Sequence, residues 1–118
     1  MTTQPCDVVV FGATSFVGQI LTHYLFEEFG LHDKLHWAAA GRSLRKLEEL
    51  RNSLGKGAGK LTLIQADAGD EASLRKLCKS ARVVVSTVGP YALYGEPLVR
   101  VCAETGTDYC DLTGAVQW

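Results

Sequence analysis

No sign of charge dominates this 118-residue sequence. Twelve basic side chains stand against 13 acidic ones, for a formal net charge of −1. Proteins that clamp nucleic-acid backbones carry a basic excess, so that class is excluded. Long apolar runs are also missing. Runs such as Val8–Phe11 and Val83–Val85 reach at most four residues, far short of the roughly 20 that span a bilayer. The stretch from Met1 to Asp7 is polar and has no basic segment, which argues against a secretory leader and makes the cytoplasm the expected location. Cysteine is sparse and badly spaced for metal or cross-links. Cys6, Cys78, Cys102 and Cys110 form no C-x-x-C pair, and no histidine stands at zinc-finger distance. Neither a disulfide scaffold nor a metal site is expected.

What is present is an ordinary globular balance, 47% hydrophobic and 21% charged, in a length that fits one domain. Asp7–Phe11 reads as a buried strand ended by Gly12. Phe16, Val17, Ile20, Leu21, Tyr24 and Leu25 recur at helical spacing and predict a helix over Phe16–Phe29, stopped by Gly30. His36–Ala40 reads as a second strand. Leu44, Leu47, Leu50 and Leu54 form the stripe of a second helix, with Ser43 as its N-cap. Gly55–Gly59 reads as a flexible connector into a third strand, Lys60–Gln65. It follows a helix and precedes a strand, the reverse of a phosphate loop. Asp70 is placed to cap a third helix carrying Leu74, Leu77 and Cys78. Arg82–Thr87 is a fourth strand. Pro97 fits the first turn of a fourth helix with Leu98, Val101 and Cys102, and Tyr109–Leu112 is a fifth strand. Cys78 and Cys102 read as core residues, whereas Cys110 is open to either face. Strands alternating with helices predict a doubly wound α/β fold with a parallel, Rossmann-type sheet.

The segment Val8-Val9-Val10-Phe11-Gly12-Ala13-Thr14-Ser15-Phe16-Val17-Gly18 carries the strongest chemical signal. A buried strand enters a tight turn and then a helix. Gly12 permits the turn, and Gly18 lets the helix lie close to the strand. Backbone N–H groups around Thr14–Val17 would then face a dinucleotide pyrophosphate. Ser15 occupies a place where many such loops have glycine, and its hydroxyl is a candidate phosphate donor. After the second strand comes Gly41-Arg42-Ser43. An NAD site usually has an acid there for the ribose 2′-hydroxyl; a guanidinium and a hydroxyl suit a 2′-phosphate instead. The expected cofactor is NADP(H) in preference to NAD(H).

Asp67, after the third strand, has two readings: it borders an adenine edge, or it is a turn residue before Gly69-Asp70. Ser86-Thr87-Val88-Gly89-Pro90-Tyr91 ends the fourth strand at the carboxyl edge of the sheet, where ligands bind. Val88, Gly89 and Pro90 are candidates for the nicotinamide side, and Tyr91 for covering the ring. His23, His32 and His36 fall away from that edge and read as surface residues.

Val9–Gly18, Ala40-Gly41-Arg42-Ser43, Val88-Gly89-Pro90-Tyr91 with Tyr94-Gly95-Glu96-Pro97, and Asp111-Leu112-Thr113-Gly114 together resemble the saccharopine dehydrogenase-like oxidoreductases. The closest likeness is to the branch that includes the trans-acting enoyl reductases. The resemblance spans nearly the whole chain. It implies that residues 1–118 are the N-terminal NAD(P)-binding domain of a longer protein, with a second domain completing the active site. It further implies that Gly12, Thr14, Ser15, Phe16, Val17 and Gly18 hold the pyrophosphate, that Arg42 and Ser43 hold the adenosine ribose and its phosphate, and that Val88, Gly89 and Pro90 line the nicotinamide. One position departs from the family: Asp-Leu-Thr-Gly is commonly followed by Glu, and here Ala115 follows.

These features predict the cofactor domain of an NADP-dependent oxidoreductase. Its substrate is a small or lipid-like molecule held by the second domain, and the fragment alone is expected to be inactive. The alternative is a non-catalytic module that senses NADP redox state, which Ala115 would suit. A short-chain dehydrogenase is excluded within this chain, because none of Tyr24, Tyr91, Tyr94 and Tyr109 is followed four places on by lysine. The open sheet edge beyond the fifth strand is a candidate for pairing with a second copy, as a homodimer.

Overall fold

A computed structural model describes residues 6–30, 35–55, 57–67, 69–87 and 91–111, with 91–97 and 111 described by backbone alone. The elements run β1 (Cys6–Phe11), α1 (Phe16–Phe29), β2 (Trp37–Gly41), α2 (Leu44–Ser53), β3 (Thr62–Gln65), α3 (Glu71–Lys79), β4 (Ala81–Ser86), α4 (Tyr91–Thr105) and β5 (Asp108–Asp111). A 3₁₀ turn at Ala58–Lys60 precedes β3. The strands form one sheet in the order β3-β2-β1-β4-β5, every pair parallel. This is the doubly wound, Rossmann-like arrangement. Its strand order reverses beside β1, opening a crevice at the carboxyl ends of β1 and β4.

Alternation along the central strands divides the core in two. Val9, Phe11, Ala38, Ala40 and Val84 pack with Leu74, Leu77 and Cys78 of α3 and Leu98, Val101 and Cys102 of α4. On the other face, Val10, Trp37 and Ala39 pack with Leu25 of α1 and Leu47 and Leu50 of α2. The period of two along each strand sends neighbours to opposite layers. At the α3–α4 seam the sulfurs of Cys78 and Cys102 lie 3.3 Å apart, both buried. On its solvent side, Arg75 and Arg100 each bond to Glu71 and also pair with Glu104.

Three expectations are corrected. Residues 55–59 are not simply a flexible connector. Ala58 is buried in the α1–α2 layer and sits in the 3₁₀ turn, so β3 starts at Thr62 rather than Lys60. The two glycines flanking position 56 take positive φ, 109° at Gly55 and 90° at Gly57, and make that tight turn possible. Next, α4 begins at Tyr91, so Pro97 lies in its second turn, not its first. Proline there removes one i→i−4 hydrogen bond, a loss the longer helix absorbs. Finally, α1 turns a different face to the sheet than its apolar spacing suggests. Gly18, Thr22 and Leu25 are buried, while Phe16, Ile20 and Tyr24 are 79%, 56% and 55% exposed. Close packing of Gly18 sets this rotation, as described below. Among the described residues no helix is long and apolar enough to cross a membrane, and no cluster of side chains could hold a metal ion.

Candidate functional site

β1 delivers the chain into the crevice at Gly12, whose φ of 83° belongs to the left-handed region that favours glycine. The turn is anchored from both sides. Gly12 and Ala13 both donate their N–H groups to the carbonyl of Ala40 at the end of β2, at 2.9 and 3.0 Å. Thr87, just past β4, donates its N–H to the Phe11 carbonyl at 2.9 Å. The Ser15 amide closes the turn onto the Gly12 carbonyl at 3.0 Å, and the Gln19 side-chain amide reaches back to the Thr14 carbonyl at 2.9 Å.

Gly18 is required by distance. A Cβ there would lie 2.2 Å from the Gly12 carbonyl oxygen and 2.7 Å from Ala13 Cα. The helix therefore rests directly on the turn, and its first N–H groups point to the crevice mouth. Ser15 caps it. The Ser15 hydroxyl oxygen accepts the Gly18 N–H at 3.0 Å, and the Ser15 carbonyl accepts that of Gln19 at 2.8 Å. The amides of Phe16 and Val17 remain, without a partner among the described residues. Two open amides at the positive end of a 14-residue helix suit an anion. A turn packed this closely under the helix, with open amides at the helix end, fits a pyrophosphate.

At the end of β2, Arg42 is exposed and meets no acid among the described residues. Gln65 on β3 donates to its backbone carbonyl at 3.1 Å, holding the β2–α2 connection in place. Ser43 is the N-cap of α2; its oxygen accepts the Lys46 N–H at 3.3 Å, and its hydroxyl proton stays available to a phosphate. Thr14 and Lys46 line one cleft of about 310 Å³ between α1 and α2. Arg42, which meets no acid among the described residues, and the adjacent Ser43 hydroxyl have the chemistry that suits the 2′-phosphate of NADP.

Asp67 is engaged in the turn entering α3. Its Oδ1 accepts the Gly69 N–H at 2.9 Å, its amide donates to Ser73 Oγ at 2.8 Å, and its carbonyl accepts the Asp70 N–H at 3.0 Å. The side chain is nevertheless exposed on the carboxyl edge. Val88, Gly89 and Pro90 lie outside the described residues, as does the side chain of Tyr91, whose backbone opens α4. Gly12, Thr14, Ser15, Phe16, Val17 and Gly18 thus come together at one turn, with Arg42 and Ser43 at the end of the neighbouring strand. Thr87 went unassigned by sequence reasoning. Only the adjacency of β1 and β4 in space, 75 residues apart in the chain, reveals its contacts with this turn.

Comparisons with known proteins identify the family and the fold. The family model of the saccharopine dehydrogenase NADP binding domain matches residues 8–117. The trans-acting enoyl reductase of Mycobacterium leprae is 43% identical over 112 residues, which cover 95% of this chain and 26% of that protein. A lipid droplet localized protein of Caenorhabditis elegans is 42% identical over 118 residues, covering 95% of this chain and 27% of that protein. Among solved structures, apo saccharopine dehydrogenase (L-Glu forming) from Saccharomyces cerevisiae superposes with a TM-score of 0.72 at 24% identity, over 90% of this chain and 21% of that one. The chain thus spans about a quarter of the length of the relatives it matches. With the family model across nearly its whole length, the chain belongs to the saccharopine dehydrogenase family, as an NADP-binding domain of Rossmann-like fold.

Proposed function

We propose that this domain serves a longer NADP-dependent oxidoreductase, in which residues 1–118 hold the cofactor and a second domain holds a lipid-like substrate. The observation that carries the reading is the tight turn at Gly12–Gly18, with two amides above it and Arg42 beside it that have no partner among the described residues. When bound, NADPH supplies hydride from its nicotinamide ring, and the protein's part is to bind, orient and shield. The Phe16 and Val17 amides bind the pyrophosphate within the turn formed by Gly12, Thr14, Ser15 and Gly18. Arg42 and Ser43 bind the ribose 2′-phosphate and so select NADPH over NADH. Asp67 borders the adenine, and Val88, Gly89, Pro90 and Tyr91 line the nicotinamide side. This chain alone binds cofactor and turns over little.

A lipid-like substrate accords with the names of two relatives, a trans-acting enoyl reductase and a lipid droplet localized protein. The location read from the sequence is the cytoplasm; a fluorescent fusion collecting on lipid droplets would replace that reading. The outer edge of β5, the last strand in the sheet order among the described residues, is the place for a second copy to add on. Sedimentation showing only monomer across a wide concentration range would remove the homodimer. A second reading, a redox-sensing module without catalysis, is favoured by Ala115, where the family commonly has a carboxylate.

The deciding experiment is a calorimetric titration of the chain with NADPH and NADH at matched ionic strength. NADPH binding tighter by about tenfold, or roughly 1.4 kcal/mol, supports the assignment of Arg42 and Ser43. Equal affinities would overturn that assignment and leave the fold untouched. Absence of binding by either would overturn the site.

A further inference from the structure

Thr87 stands where the two halves of the sheet meet, one residue beyond β4, and is only 5% exposed. Its hydroxyl oxygen lies 2.7 Å from the Gly12 carbonyl, 3.1 Å from the Phe11 carbonyl and 3.0 Å from Ser15 Oγ. Proton counting fixes the direction of these bonds. A carbonyl oxygen can only accept, so the single hydroxyl proton of Thr87 goes to Gly12, the nearer of the two. The Thr87 oxygen then has only lone pairs to offer Ser15, so the Ser15 hydroxyl donates to it. Ser15 Oγ meanwhile accepts the Gly18 N–H. The bonds form one chain, from the Gly18 amide to the Ser15 hydroxyl, to the Thr87 hydroxyl, to the Gly12 carbonyl. The Ser15 amide also ends on that carbonyl, so the circuit closes on the turn itself.

We propose that Thr87 is a positioning residue for the dinucleotide: its hydroxyl locks the Gly12–Ser15 turn in the shape that presents the Phe16 and Val17 amides. It also accepts the hydrogen bond of the Ser15 hydroxyl, so Ser15 serves the site as a brace and helix cap rather than as a phosphate donor. The inference rests on the reading of the turn as a pyrophosphate cradle. It extends that reading by joining the strand that leads to the nicotinamide side with the loop that holds the phosphates. Hydroxyl networks specify one geometry when every member is satisfied; this one is part-buried, and among the described residues no buried side-chain polar atom lacks a partner.

The test compares Thr87→Val, which keeps the shape and loses the hydroxyl, with Thr87→Ser, which keeps the hydroxyl. NADPH and NADH are titrated calorimetrically well below the melting temperature of each variant. Thr87→Val is expected to weaken both cofactors equally, by about tenfold, the worth of a hydrogen bond of this kind. The pyrophosphate is common to both, so their affinity ratio stays at the wild-type value. Thr87→Ser is expected to bind within about twofold of wild type. A Thr87→Val protein that melts earlier yet binds both cofactors like wild type would reduce Thr87 to a structural role and overturn the inference. A Thr87→Ser protein as weak as Thr87→Val would do the same, by assigning the effect to the methyl group. Should Thr87→Val not fold, Thr87→Cys takes its place under the same criteria. If wild type binds neither cofactor, the cradle reading fails and this inference fails with it.

Discussion

Gly18 and Gly12 approach so closely that a single added carbon at position 18 would sit 2.2 Å from the Gly12 carbonyl oxygen. The obstacle is backbone, not the movable end of a side chain. Gly18→Ala must therefore push α1 off the turn. Overpacking of this kind costs about 2 kcal/mol or more, a fall of roughly 8 °C in Tm for a domain of this size. Thermal unfolding followed by circular dichroism measures it. An unchanged Tm would show that α1 and the turn are less tightly joined than their geometry requires.

Arg42 is a cation with no acid beside it among the described residues. Arg42→Ala is expected to weaken NADPH by about tenfold to a hundredfold, the range for a hydrogen bond to a charged group, and to leave NADH unchanged. Parallel titrations of the two cofactors read the ratio. Equal losses for both would move Arg42 from the 2′-phosphate to the pyrophosphate or to the fold.

The four cysteines differ sharply in access. Cys110 on β5 is exposed, and Cys6, Cys78 and Cys102 are buried. Burial, helped by the charge of Asp7, pushes the Cys6 thiol up. The hydrogen bond with Cys78, together with burial, pushes the Cys102 thiol up. Thiolate is the reactive form, so both effects slow thiol exchange; the same bond lowers the Cys78 thiol, and burial is what keeps Cys78 from the reagent. A disulfide-exchange reagent should titrate one thiol quickly in the native chain and all four in denaturant. A second fast thiol at Cys78 or Cys102 would mean that the α3–α4 seam opens readily.

Glu71 joins α3 to α4 through the hydrogen bond from Arg100, and Arg75 on its own helix bonds it as well; the two together hold its carboxyl below the usual value. Its pKa is lower folded than unfolded. Its contribution is therefore complete above the unfolded carboxylate value of about 4.3 and disappears as pH falls through the depressed folded value. Glu71→Gln should lower stability at neutral pH and flatten the acid limb of the stability curve. High salt should shrink the difference, because the pairs are exposed. Parallel curves for the two proteins between pH 6 and pH 3, compared by urea unfolding, would argue against this linkage.

Local chemistry in the sequence is enough to place most of the frame. Phe16–Phe29 is the helix its spacing and Gly30 predict, and Ser43 and Asp70 are the caps their position before an apolar stripe implies. Such signals act within a few residues. The start of α4 at Tyr91 has no comparable mark, and Pro97 draws the expected boundary six residues too late. The outward turn of Phe16, Ile20 and Tyr24 was hidden for another reason. Hydrophobic spacing reports a stripe, but the rotation of α1 is set by backbone contact at Gly18. Within the site, Gly12, Gly18 and Arg42 were legible as residue types after strands. The bonds of Thr87 to Gly12 and Ser15 were not, because they depend on which strands become neighbours.

The outward stripe on α1 has a colloidal consequence. Phe16, Ile20 and Tyr24 recur every fourth residue, so they form a narrow oily seam, about 6 Å between rungs. The particle that carries it has a formal net charge of only −1, which gives copies little long-range repulsion. Attraction at the seam then goes almost unopposed. Solubility of the isolated chain should fall early as sulfate is added, and a single lysine in place of Ile20 should restore it while leaving the sheet and its cradle intact.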